Sequence, residues 1–82
     1  MKYRKKPITI EAVRWTGENI KEIEHFTRGQ ARYNLWLDTF ELKTLEGTMI
    51  ANVDDYIIEG VNGEFYSCKP YIFKQTYELV KE

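Results

Sequence analysis

Alternating apolar and polar positions dominate this chain, and they predict short strands. Ile8-Thr-Ile-Glu-Ala-Val-Arg-Trp15 alternates, with Ile8, Ile10 and Ala12 on one face and Thr9, Glu11, Val13 and Trp15 on the other. The first set reads as the core face, with Arg14 at the end of that row, at a rim. After the Thr16-Gly17-Glu18 turn, Ile20, Ile23 and Phe26 or Thr27 recur at helical spacing, so a short helix is expected. Asn19 and Glu22 have the spacing of a capping box, and Gly29 is the terminator. Residues 31–37 alternate as a strand, with Tyr33, Leu35 and Leu37 against Arg32, Asn34 and Trp36.

Two hairpins follow. Phe40–Thr44 and Met49–Val53 flank a turn at Glu46-Gly47, gathering Phe40, Leu42, Met49, Ala51 and Val53 on one face. Glu41, Lys43, Thr48 and Asn52 share the other with Ile50, the one-sided pattern of a sheet with a wet face. The second hairpin spans Asp54–Pro70, with Asn62-Gly63 suited to a two-residue turn. A two-residue loop places Ile57 opposite Cys68 and Glu59 opposite Tyr66. Both faces are then mixed, which suggests a core on one side and a partner or ligand on the other. Pro70 begins a single helical turn, and Tyr77–Val80 reads as a closing strand. These elements predict an α+β fold: a small, mostly antiparallel β-sheet or partly open barrel, with one short α-helix and one helical turn near the C-terminus. Connections this short leave no room for parallel crossovers.

Eighty-two residues make one domain, 1–82, with residues 1–7 as a basic arm. A core of this size is modest, so oligomerisation is expected to assist it. Thirteen acids nearly balance twelve bases, which argues against nucleic acid as the partner. The distribution is uneven: Lys2, Arg4, Lys5, Lys6 and Arg14 face Glu11 alone in residues 1–14, and residues 15–59 hold nine acids against four bases. One cysteine forms no internal disulfide, and no apolar run is long enough to span a bilayer, so the expected location is cytoplasmic.

Candidate chemistry is sparse. There is no Gly-rich phosphate loop, no nucleophile elbow and no paired metal ligands around His25, the only histidine. Cys68 beside Lys69 reads as a small packed strand residue rather than an activated thiol. No catalytic residue, metal site or cofactor is therefore expected, and the chain reads as a non-enzyme. What remains is a cation–aromatic surface. Arg4, Lys5, Lys6, Arg14 and Lys69 supply charge, and Trp15, Tyr66 and Tyr77 supply flat faces for a nucleotide-like ligand. For Trp15 the commoner use is to cover the end of a core.

Two groups of residues carry a resemblance. Met1-Lys-Tyr-Arg-Lys-Lys-Pro7, Ile10-Glu-Ala12 and Trp15 form the first. Leu45-Glu-Gly47, Asp55-Tyr-Ile-Ile-Glu-Gly-Val61, Gly63-Glu-Phe-Tyr66, Cys68-Lys-Pro70, Phe73 and Thr76-Tyr-Glu78 form the second. Together they resemble a family of small phage and prophage proteins, over roughly half to two-thirds of the chain. Many members carry Pro where Ser67 stands and Asp where Tyr71 stands. The resemblance implies a viral accessory protein in a host bacterial cytoplasm. Analogy with other small oligomeric phage proteins implies an anti-defence sponge that sequesters a nucleotide immune signal, of the cyclic ADP-ribose or cyclic oligonucleotide type. The alternative is a phage protein that inhibits a host protein by direct binding.

Overall fold

The computed structural model describes residues 1–4 and 6–80. Lys5 lies outside the described residues. The element order is β1 (Glu11–Arg14), α1 (Ile20–Phe26), β2 (Ala31–Asn34), β3 (Thr39–Thr44), β4 (Gly47–Ala51), β5 (Tyr56–Glu59), β6 (Phe65–Cys68) and α2 (Pro70–Thr76). All strand pairs are antiparallel, in two three-stranded sheets ordered β1-β5-β6 and β2-β3-β4. The fold is the expected small α+β, and the sheets do not close into a barrel.

The core lies between the two sheets and α1. Trp15, Phe40, Ile23, Leu42 and Ile57 are fully enclosed there, with Ala31, Ala51 and Phe65 beside them. Trp15 meets Phe40 and Tyr33 edge-on, at 4.8 and 5.8 Å between ring centroids. Its indole N–H donates to the Asp38 carbonyl at 3.0 Å, which satisfies the one polar atom of the buried ring.

Burial of Trp15 reverses the expected faces of the first strand. Val13 packs against the core, while Arg14 and Ala12 face outward and Ile8 is half exposed. The reason is one of magnitude. An indole withdraws about 150–250 Å² from water, worth roughly 4–6 kcal/mol, and Ala12 offers far less. Ile8 and Ile10 do not enter the balance, because β1 begins only at Glu11, where β5 is present to pair with it.

The Phe40–Val53 hairpin keeps its expected faces although its turn moves. Thr44 pairs with Gly47, so Leu45-Glu46 is the turn. That shift changes the register by two residues, and side-chain parity survives. The second hairpin slips by one. Ile57 pairs with Ser67 and Glu59 with Phe65, around a longer loop in which Gly60 N–H donates to Glu64 and Gly63 N–H to Gly60. Gly63 sits at φ +80, the left-handed position that closes a three-residue hairpin loop. The odd slip puts Ile57 and Phe65 in the core, and Tyr56, Ile58, Tyr66 and Cys68 on the outer face.

Three further expectations fail. The strand over 31–37 stops at Asn34, whose side-chain oxygen accepts the backbone N–H groups of Trp36 and Leu37 and turns the chain. Asn19 does cap α1, but its amide turns backward: Oδ1 accepts from Thr16, and Nδ2 donates to Glu22 and to the Arg14 carbonyl. Tyr77–Val80 joins no sheet. No helix among the described residues is long and apolar enough to cross a membrane.

Candidate functional site

Two cations at the edges of the first sheet, Arg14 and Lys69, pair with adjacent acids. At the entry to β5, Asp54 N–H donates to the Trp15 carbonyl at 2.6 Å and Trp15 N–H to Asp55 at 2.9 Å. Arg14 donates to Asp54 at 2.6 Å, with both side chains about half exposed. Lys69 sits 3.1 Å from Asp55, whose side chain is only 4 % exposed and also accepts the Asn52 N–H at 2.9 Å. Asp54 and Asp55 therefore form the clamp that joins β1, the loop after β4 and the end of β6.

The outer face of this sheet carries an aromatic stack. Phe73 of α2 lies flat on Tyr56, at 3.8 Å and 4°, and Tyr77 tilts against Phe73 at 5.1 Å. Ile58, between them and Tyr66 in the register, is 1 % exposed. The face expected to meet a partner is thus partly filled by the chain's own C-terminal segment. The Tyr66 hydroxyl is pushed up to about 12 by burial first and by the neighbouring Tyr77 hydroxyl second. Burial, then the Asp55 charge, raises the Cys68 thiol, and its half-buried place fits packing better than nucleophilic work.

The expected site residues therefore separate into groups. Arg14, Tyr66 and Tyr77 belong to the outer face of the first sheet and its α2 end, whereas Lys69 turns to the buried Asp55 and the groove beside β4. Trp15 is wholly inside the core and offers no face to a ligand; its ring is worth more to folding than to recognition. Arg4 and Lys6 are exposed in the arm, away from any sheet ladder, and Lys5 is not described. Arg14 is not a strand neighbour of Tyr66, because β5 lies between β1 and β6. Instead Arg14, Tyr56 and Cys68 form one row across the sheet. A shallow groove of ≈ 400 Å³ opens beside that row, between Met49 and Ile50 of β4, Ser67 of β6, and Lys69 and Ile72.

Sequence reasoning missed Tyr56 and Phe73 as a stacked pair, and Asp54-Asp55 as cation acceptors. Strand parity contains the signal for Tyr56 once the hairpin register is right. It also missed Arg28, which bonds Glu59 at 2.8 Å and lies over the Phe65 ring. Among the described residues no group of three or more His, Cys, Asp and Glu is placed to hold a metal ion. Compared with protein-family models, with curated proteins and with solved structures, the chain matches none.

Proposed function

We propose that this chain is a non-catalytic accessory protein of phage or prophage origin that sequesters a nucleotide-like immune signal in the bacterial cytoplasm. The supporting observation is one face: Arg14, the Tyr56–Phe73–Tyr77 stack and Tyr66 gather at the α2 end of the first sheet. Aromatic faces accept a base, and a guanidinium accepts a phosphate in bidentate fashion. Arg14 is available for this because its pair with Asp54 is exposed, worth about 0–1 kcal/mol, and a phosphate can replace the carboxylate. Lys69 is committed to a buried acid, so the further cations come from Arg4 and Lys6 of the arm. The test is mass spectrometry of small molecules released by denaturing protein purified from cells with an active nucleotide-signalling defence. A ligand at a hundred times its Kd stabilises by about 2.7 kcal/mol, a thermal shift on the order of 10 °C in a domain of this size. Absence of both a released nucleotide and a shift across a broad nucleotide panel refutes the reading.

A second reading, inhibition of a host protein, is favoured by a different observation. Leu35, Trp36 and Leu37 are 75, 92 and 70 % exposed on a turn pinned by Asn34 and Asp38. A rigid exposed Trp between two Leu is a common anchor of protein recognition. Under this reading a host protein co-purifies with the wild type and is lost with Trp36→Ser, while nucleotides give no shift.

A further inference from the structure

β1 is an edge strand of the first sheet. Its Trp15 N–H bonds to Asp55, so the alternation of an antiparallel ladder turns the backbone of Glu11 and Val13 toward β5. The backbone of Ile10, Ala12 and Arg14 then faces away, along the open edge. At one end that edge is closed: the Arg14 carbonyl accepts Asn19 Nδ2 at 2.8 Å. At the other end it continues past its own sheet. β5 pairs as far as Glu59, opposite Glu11, and the chain then turns at Gly60. Ile8-Thr9-Ile10 thus has strand composition and no ladder, with Ile8 49 % exposed.

We infer that this edge pairs with the same segment of a second copy, antiparallel about a two-fold axis at Ile10, building a six-stranded sheet β6-β5-β1-β1-β5-β6. In this register Ile10 faces Ile10 and Ile8 faces Ala12. All six residues fall on one face, so each cross-strand pair is apolar, and an isologous contact requires such self-complementarity. Sliding the axis to Ala12 would set the apolar Ile10 against the charged Arg14, and only the Ala12 pair would stay apolar. With the axis at Ile10, Lys6 falls opposite Arg14, whose charge Asp54 balances. The chain exposes 6937 Å², against about 5,200 Å² for a compact monomer of 9.8 kDa, and the exposed terminal segments, Met1, Tyr3, Leu79 and Val80 among them, carry part of that excess.

The interface stands without the nucleotide reading. Its bearing on that reading is that Lys6 of the second copy comes to the face that holds Arg14 and Tyr56. The experiment therefore reads assembly, not ligand. Sedimentation equilibrium at high micromolar concentration is expected to give a dimer for the wild type and a monomer for Ile10→Pro. Proline at position 10 removes only an outward N–H, so circular dichroism should be unchanged. In a Cys68→Ser background, Ile10→Cys should cross-link on mild oxidation, because directly opposed hydrogen-bonded residues stand about 5.5 Å apart at Cα, within disulfide reach. Ile8→Cys should not, since the two positions 8 lie about 13 Å apart along the strands. A monomeric wild type overturns the proposal. So does a dimer that cross-links no better through position 10 than through position 8.

Discussion

Replacing Lys69 by Met tests whether that lysine is a structural counter-ion or a free cation. Asp55 is buried, with a side chain 4 % exposed, and it has three polar contacts: the Asn52 N–H at 2.9 Å and Lys69 Nζ at 3.1 and 3.4 Å. Lys69→Met leaves a buried carboxylate with one donor. Breaking a fully buried pair costs about 3–5 kcal/mol. Here the lysine side chain is 48 % exposed, so water replaces part of what is lost, and a cost of about 2 kcal/mol is expected. In a domain of this length that corresponds to a fall in Tm of roughly 8–16 °C.

The reciprocal variant fixes the sign. Asp55→Asn keeps an oxygen for the Asn52 N–H and removes the buried charge, so it should cost about 1 kcal/mol. The double variant should then be less damaged than the sum of the two, with a coupling of about 1–2 kcal/mol. Urea unfolding followed by Trp15 fluorescence, in a Trp36→Phe background, measures all four corners. A loss below about 0.5 kcal/mol for Lys69→Met, with no coupling, refutes the clamp and returns Lys69 to the pool of ligand-binding cations.

The two tryptophans should separate cleanly: Trp36→Phe should leave a blue-shifted emission that resists acrylamide, at a stability cost within about 0.5 kcal/mol, whereas Trp15→Ala should cost about 3–5 kcal/mol. In an alkaline absorbance titration Tyr66 should ionise late, near its value of about 12, and Tyr77→Phe should bring it down only in part because burial is the larger cause. Its folded-state value lies above the ordinary value of 10.0, so its contribution to stability is whole below pH 10 and is lost between pH 10 and about 12; unfolding measured across that window checks the sign. Gly63→Ala, at φ +80, should destabilise by about 1 kcal/mol or more, measured by thermal unfolding. Gly60→Ala should cost less if the exposed Glu64 side chain, whose end would meet the new Cβ, swings aside.

Legibility in the sequence followed parity. The Phe40–Val53 turn was displaced by an even number of residues, and the side chains paired between Phe40 and Ala51 stayed on their expected faces. The Asp54–Pro70 loop differed by one, and the faces of one strand changed with it. Asn62-Gly63 fits two loop lengths, and only the packing of Phe65 against Phe26 and the core decides between them. The first strand failed for another reason. Three small or medium apolar residues on one face seemed to outweigh Val13 and Trp15, because nothing local shows that β5 ends before Ile10. Asp54 and Asp55 were legible only as the start of the second hairpin. Their role as acceptors for Arg14 and Lys69 depends on contacts 40 and 14 residues apart, which no local pattern contains.

Among the apolar segments outside the core, Ile8–Ile10 and Leu35–Leu37 differ in what they can recognise. Ile8–Ile10 alternates and runs into the open edge of β1, so its backbone groups can add to a ladder. Leu35–Leu37 is also apolar and exposed but does not have the same options. Asn34 takes two of its N–H groups, and Asp38, at φ 55, receives the Tyr33 hydroxyl at 2.7 Å and the Trp15 indole at its carbonyl. That turn is anchored to the core on one side and cannot lie down as a strand. Any partner it has must be met by side chains, chiefly Trp36, and must supply a pocket rather than an edge. Self-assembly through position 10 and recognition through position 36 are therefore separable, and a variant at either position should leave the other intact.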